Sequence, residues 1–475
     1  MSGEALTGLI MLCVLIGAIF IGVPISFTLL FLALTFGYIG IGATVFDLAY
    51  FQTIGMMREE LLAAVPLFIL MGFITEQAGL MERLFTAFRL LLSRMRGALI
   101  LVVILTSTVF AMATGIVGAA VTVLGIMASP IMNKTGYDAE LSAGAITAGG
   151  TLGILIPPSV MLIVMGPVLG VSVADLYAAA FGPGFMLAGI YLAYLMIRAN
   201  LNPKLGPPVP IEQRVHSSGY ILKEVFLGIV PLVGLITATL GSILAGLATP
   251  TEASGVGAAG AAFLAFVYGK FTLSGLKRAL LSTVATSSMV LLLAVTSNVF
   301  GSVFARLGTA NWITDNLLAL QFSPTLMLIL ILVLIFILGW PFEWPAIILV
   351  FLPIFYPVVK AMNIDMIWFG ALVAVVLQTA FLSPPVAMSA YYLKQVADSW
   401  SLLTIYKGMF QFMMLQILAI ALLVTFPPIA TWLPNKLNEA ARSKPMSEQH
   451  LKIIEQQRKS QQSLEDDDFG VQKKK

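Results

Sequence analysis

Histidine, cysteine and charge are all scarce in this sequence. Its 475 residues hold two histidines and one cysteine, and only 10% are Asp, Glu, Lys or Arg. A lone Cys13 rules out a disulfide framework and a thiolate metal cluster. His216, in a polar loop, and His450, near the end, each lack a partner at metal-ligand spacing. A soluble domain carries roughly a quarter charged residues, so this shortage points to lipid as the main solvent. The 26 basic and 23 acidic residues leave +3, too little to suggest a nucleic-acid partner. No nucleophile–base arrangement and no Walker sequence is present, so neither an enzyme nor an ATPase is expected.

Apolar residues make up 59% of the chain and fall into runs of membrane-spanning length. The N-terminal run lacks the basic start and small-residue cleavage pattern of a signal peptide and is expected to be retained as the first span. Spans are placed at about 5–22, 25–45, 61–79, 140–165, 175–198, 224–247, 252–270, 281–305, 366–391 and 403–430. Between Gly97 and Asn133 there is no charged residue at all, which is too long for one crossing and short for two. Its middle, Ala113-Thr114-Gly115-Ile116-Val117-Gly118-Ala119-Ala120, is small and flexible, and predicts a helical hairpin that enters and leaves on one side. The stretch 324–361, centred on Gly339-Trp340-Pro341-Phe342-Glu343-Trp344-Pro345, predicts a second re-entrant hairpin. The fold class is an all-α membrane protein of about ten transmembrane helices plus two hairpins.

The two halves repeat. Pro157 and Pro384, Pro130 and Pro357, and Asp138 and Asp365 are each 227 positions apart, and Pro24 and Pro250 are 226 apart. Residues 1–201 then form one copy and 219–434 the other, joined by a proline-rich linker at 202–218 and followed by a polar tail, 435–475, expected to be disordered. Five full spans and one hairpin per copy, an odd number of crossings, turn the second copy upside down. Arg83, Arg89, Arg94 and Arg96, the linker's Lys204, Arg214 and Lys223, and Lys270, Lys277, Arg278 and Lys394 place their loops in the cytoplasm, with the N-terminus outside.

The chemistry is expected at interrupted helices. In Gly149-Gly150-Thr151-Leu152-Gly153-Ile154-Leu155-Ile156-Pro157-Pro158-Ser159, two prolines remove backbone donors, so carbonyls around Gly153 to Ile156 lose their helical partners. Freed carbonyls suit an alkali cation. Leu377-Gln378-Thr379-Ala380-Phe381-Leu382-Ser383-Pro384-Pro385 mirrors it. The bland alternative is a pair of structural kinks. Glu343, at the second tip, either serves a cation or proton or sits in solvent already wetting the tip. Glu252 reads as a first-turn residue that favours the dipole of its helix. The glycines of Gly255-Val256-Gly257-Ala258-Ala259-Gly260 lie in an apolar span, so close helix packing explains them better than a dinucleotide loop.

Val65-Pro66-Leu67-Phe68-Ile69-Leu70-Met71-Gly72, Arg96-Gly97-Ala98, Gly149 to Ser159 and Thr249-Pro250-Thr251-Glu252-Ala253 together resemble the large membrane (DctM-type) subunit of tripartite ATP-independent periplasmic (TRAP) transporters. The resemblance covers about residues 10–434. It implies an elevator-type ion-transporter fold in the bacterial inner membrane and symport driven by sodium. It also implies a small four-helix membrane partner (DctQ type) and a periplasmic binding protein (DctP type) that delivers an organic acid. Carried over, the first sodium site comprises Thr114, Gly115, Ile116, Gly153, Ile156 and Pro158. The mirrored site comprises Pro341, Phe342, Glu343, Ala380, Ser383 and Pro385. No cofactor beyond the coupling ion is implied.

The chain departs from the family pattern at both tips. Where many relatives have a serine-rich first tip followed by an acid, this sequence has Thr114-Gly115-Ile116-Val117 and Ala120. At the second tip Glu343 replaces an Asp, flanked by Trp340 and Trp344. Carbonyl ligation needs no particular side chain and tolerates these changes. A less polar pocket points away from sialic acid and C4-dicarboxylates, toward a 2-oxo acid or other monocarboxylate. A single-component sodium–carboxylate carrier, needing no binding protein, stays open as the alternative.

Overall fold

A computed structural model describes residues 3–208, 218–384 and 387–443, and every regular element among them is helical. The order of elements runs twice. Gly3–Phe20 and Ile25–Ile41 open the first run, and Gly219–Leu244 and Pro250–Val267 open the second. The third crossing differs between them. First it is split into Thr44–Met57 and Ala64–Gln77 by a short 3-10 turn, Glu60–Ala63; later it is one 34-residue helix, Leu273–Arg306. The split falls at Arg58-Glu59-Glu60, whereas the positions 227 further on are the small, helix-compatible Ala285-Thr286-Ser287. A run of three charges is costly inside a membrane span, and opening the helix carries Arg58 and Glu60 to the surface.

Two amphipathic helices, Leu80–Leu92 and Thr309–Ala319, come next. Each follows a glycine in the left-handed region, Gly79 at φ +69° and Gly308 at φ +76°. Both are too short to cross a bilayer, and neither was among the expected spans. The hairpins follow as Ala98–Thr114 with Val117–Lys134, and Pro324–Leu338 with Trp344–Ala361. Behind each hairpin comes an interrupted helix. Ala139–Leu155 is bent by 45° from Val160–Leu169, and Met366–Leu382 is followed by Met388–Lys394. The matched aspartates explain their own spacing, because each caps its helix: Asp138 accepts from the Leu141 N–H at 2.8 Å and Asp365 from Ile367 and Trp368 at 2.8 and 2.9 Å. Val173–Leu201 and Leu402–Thr425 complete the two runs.

Among the described residues, eight helices are long and apolar enough to cross a membrane, or nine if the bent pair counts as one span, against the ten expected. The shortfall has local causes. Ile25–Ile41 and Met366–Leu382 have only 17 residues each. The span expected at 25–45 stops at Ile41 because Gly42 turns the chain at φ +67°. Two of the eight, Val117–Lys134 and Trp344–Ala361, are hairpin arms.

Glu252 lies in a capping box: the Thr249 N–H donates to its carboxylate at 2.8 Å, and its own N–H donates to the Thr249 hydroxyl at 3.2 Å. The glycine run beyond it serves close packing, since a Cβ on Gly257 would stand 2.5 Å from the Met71 sulfur. The chain divides into a body, Met1–Trp432, and a second unit from Leu433 onward. Residues 435–443 of the expected disordered tail are helical, within Pro428–Ser443, where Leu437, Glu439 and Ala440 are good helix formers. The remainder of the tail, and 209–217 of the linker, lie outside the described residues.

Candidate functional site

Ala139–Leu155 lies in the cleft of the first hairpin, and its glycines make that approach possible. A Cβ on Gly149 would come within 2.5 Å of the Ser107 hydroxyl on one arm, and a Cβ on Gly150 within 2.3 Å of a Val121 methyl on the other. At the tip, Gly115 ends its helix at φ +62°, where glycine pays no steric penalty, and donates to the Ala111 carbonyl at 3.2 Å. A Cβ on Gly115 would stand 3.3 Å from the Pro158 carbonyl oxygen and 3.7 Å from that of Gly153. A Cβ on Gly153 would face the Ile116 nitrogen at 3.6 Å. Gly115, Ile116, Gly153 and Pro158 therefore meet in space.

Thr114 belongs to the tip, but its hydroxyl turns back to donate to the Phe110 carbonyl at 3.2 Å. Its own carbonyl faces Gly72, where a Cβ would lie 2.7 Å away. The glycine that ends Val65–Gly72 is thus fixed by contact with the tip. Ile156 turns aside: its side chain packs at Gly184, within 2.7 Å of where a Cβ would be. Pro157 and Pro158, joined by a cis peptide, offer no N–H. The Ile154 carbonyl recovers a donor in the Ser159 hydroxyl, and the Ser159 carbonyl accepts from the Tyr177 hydroxyl at 3.4 Å. Among the described residues no three His, Cys, Asp or Glu side chains converge. The donor set beside Gly115 is backbone oxygen, hard and neutral, of the kind an alkali cation accepts.

The mirrored region is built differently. Its tip spans residues 339–343, where the first tip needs only 115–116. A Cβ on Gly339 would approach the Ala380 Cβ to 2.9 Å, so tip and interrupted helix touch here as well. The Phe342 N–H donates to Leu338 at 3.1 Å, and its ring meets Phe351 edge-on with centroids 4.8 Å apart. Pro341 is half-buried beside them. Ser383 ends Met366–Leu382, its N–H donating to Thr379 at 2.8 Å, and its buried hydroxyl has no partner. Pro385 lies outside the described residues. Gln378, to which the sequence alone assigns no role, is fully buried, and neither its amide nitrogen nor its oxygen is hydrogen-bonded. Its sequence signal is a lone carboxamide after the apolar run Val373–Leu377.

Both tips open onto one cavity of about 160 Å³, lined by residues 115–118 from the first and 342–345 from the second. Leu273–Arg306 presents Thr286, Met289 and Val290 to it, one face of a helix at i, i+3 and i+4. Tyr392, from the helix after the second break, also lines it, and its ring stands 3.1 Å from where a Cβ on Gly118 would be. Glu343, Thr286 and Tyr392 bring the polar side chains; among the described residues no Arg, Lys or His lines the wall. Three helices begin at this wall, with Val117, Val160 and Trp344 as first residues.

Comparisons with known proteins agree with this architecture. A family model described as "Tripartite ATP-independent periplasmic transporter, DctM component" matches residues 12–429. The sialic acid TRAP transporter large permease protein SiaM of Vibrio cholerae is 31% identical over 423 residues, which covers 88% of this chain and 96% of that protein. The C4-dicarboxylate TRAP transporter large permease protein DctM of Rhodobacter capsulatus is 29% identical over 448 residues, 91% of this chain and 100% of that one. The crystal structure of the Alcanivorax borkumensis YdaH transporter, described as having an unusual topology, superposes with a TM-score of 0.57 at 17% identity. It covers 83% of this chain and 89% of that chain, a likeness of fold alone.

Proposed function

Because the chain belongs to the DctM family of tripartite ATP-independent periplasmic transporters, we propose that it is a sodium-driven symporter, the large permease for an organic acid. A periplasmic binding protein delivers the acid, a small four-helix membrane subunit completes the permease, and the permease sits in the bacterial inner membrane. The relatives named for sialic acid and for C4-dicarboxylates support an organic acid as the cargo class.

The observation that carries this reading is Gly115 set against the Gly153 and Pro158 carbonyls at the edge of a cavity. Sodium held by these oxygens ties the first tip to the interrupted helix. The same tip forms a wall of the cavity, so ion occupancy bears on access to the substrate. Gly339 against Ala380 supports a second, mirrored site. Helices that begin at Val117, Val160 and Trp344 turn the positive ends of their dipoles toward the cavity. Each end carries roughly half an elementary charge, which lets a carboxylate bind where no basic side chain is present. The repeated elements, read as inverted copies, supply the two-fold exchange of access that an elevator motion of the hairpins and interrupted helices requires.

The test is uptake into proteoliposomes that contain both membrane subunits and the loaded binding protein. Uptake should need an inward sodium gradient and ignore internal ATP. Equal uptake with choline in place of sodium, at fixed membrane potential and pH gradient, refutes the coupling. Equal uptake without the binding protein refutes the tripartite assembly.

A further inference from the structure

We infer that the cavity between the tips takes an apolar-bodied monocarboxylate that carries a hydrogen-bond donor, and that the Glu343 side chain accepts from that donor. This rests on the reading of the cavity as the transport site. Positive potential there comes from helix ends at Val117, Val160 and Trp344, partial charges enough for one carboxylate. Among the described lining residues, Glu343 is the one acidic side chain. In a cavity of about 160 Å³ a second substrate carboxylate would lie close to the Glu343 carboxylate, and like charges brought together in this way are rejected. The charge of Glu343 therefore selects against dicarboxylates.

Glu343 is exposed and lines the cavity, and no described residue gives its carboxylate a hydrogen bond or an ion pair. An acceptor left open at a binding wall specifies a donor on the ligand, because a ligand without one leaves the desolvated carboxylate unpaired. Ile69, Ile116, Met289, Val290 and Phe381 make the rest of the surface apolar, which fits a branched or aromatic body. Sodium ligation at the first tip is argued above from backbone oxygens and needs no Glu343 side chain.

The experiment uses the purified full-length chain in detergent and reads thermal stabilisation by four probes of one size class. These are 2-hydroxy-4-methylpentanoate, L-leucine, 2-oxo-4-methylpentanoate and succinate, each titrated in sodium chloride and in choline chloride. The expected ranking has a donor-bearing acid at least tenfold tighter than the 2-oxo acid, with succinate weakest. Whichever of the hydroxy acid and leucine binds more tightly identifies the donor as hydroxyl or ammonium. Glu343→Gln, which removes charge and keeps an acceptor, should let succinate gain about tenfold. Glu343→Met, which removes the acceptor, should erase the preference for a donor. Succinate binding as tightly as the donor acids, no binding by any probe, or a ranking unchanged in both variants overturns the inference. So does a fall in apparent sodium affinity in the variants with the ranking kept, since Glu343 would then serve the ion. The salt comparison bears on the carrier reading by itself: stabilisation equal in sodium and choline defeats the coupled carrier, whatever the ranking.

Discussion

Replacing Gly115 by Ala tests the first tip where its geometry is least forgiving. The residue sits at φ +62°, ψ 14°, and an L-residue held there costs roughly 1–2 kcal/mol. The added methyl would also stand 3.3 Å from the Pro158 oxygen and 3.7 Å from the Gly153 oxygen, in the space between the two carbonyls. If those carbonyls hold sodium, the conformational cost alone weakens apparent sodium affinity by about 5- to 30-fold, at 1.4 kcal/mol per tenfold. Obstruction of the ion adds to that. The assay is initial uptake against sodium concentration in proteoliposomes with both partner proteins, with choline holding ionic strength constant. Gly115→Asn separates the two causes, because Asn tolerates the left-handed region yet still brings a side chain. Recovery with Asn marks strain; no recovery marks obstruction. Gly153→Ala is the control: its methyl would meet nothing closer than 3.6 Å, and its sodium dependence should stay within about twofold. If Gly115→Ala and Gly115→Asn both keep wild-type sodium dependence, the carbonyl pair is a structural kink and the site has been misplaced.

Gly72→Ala forces a methyl to 2.7 Å from the Thr114 oxygen, so helix and tip must part; a loss of about 1–3 kcal/mol in stability should appear as a lower unfolding midpoint. An unchanged midpoint would show that the contact is slack. Ala380→Val adds bulk where a Cβ on Gly339 would already stand 2.9 Å from the Ala380 Cβ, and should reduce sodium affinity more than Gly153→Ala does; the reverse order would argue against a second site there. Asp138→Ala and Asp365→Ala each remove a helix cap worth about 1 kcal/mol, which thermal unfolding should register without a change in sodium dependence. In a Cys13→Ala background, cysteines at Ile116 and Phe342 should label at rates that depend on sodium and substrate; rates identical under all conditions would count against moving tips.

Much of the fold is written in local signals. A charge-free stretch from Gly97 to Asn133 with glycine at its middle can only turn back, and the structure turns it at Gly115. The paired prolines and paired aspartates mark interrupted helices and their caps because proline removes donors and aspartate supplies an acceptor wherever they stand. The helices Leu80–Leu92 and Thr309–Ala319 escape such a reading. They are too short and too polar to stand out as spans, and packing rather than hydropathy defines them. Of the residues that the resemblance puts at the first tip, Gly115, Ile116, Gly153 and Pro158 meet, while the Ile156 side chain and the Thr114 hydroxyl face elsewhere, because motif position gives no side-chain direction. The tighter position is Gly115, at positive φ with a carbonyl oxygen 3.3 Å from where a Cβ would be, whereas a Cβ on Gly153 would meet nothing closer than 3.6 Å. Thr286 and Tyr392 gain meaning only when distant helices meet, which no spacing within either helix reveals.

The packing at Gly118 bears on how the chain is made. The first hairpin is backed by the far end of the second run: Tyr392 stands at Gly118, and Leu393 and Val396 stand at Gly125. Reciprocally, Val160–Leu169 packs beside Trp344–Ala361, the inner arm of the second hairpin. During synthesis the first hairpin thus waits for neighbours about 270 residues downstream, on the order of tens of seconds at roughly 5–20 residues per second. Until then its glycine-lined surface stays open to the translocation machinery or to an assembly factor. Each hairpin is completed by neighbours from the other half, so a chain cut in the 202–218 linker should yield folded protein only when both pieces are produced in the same cell.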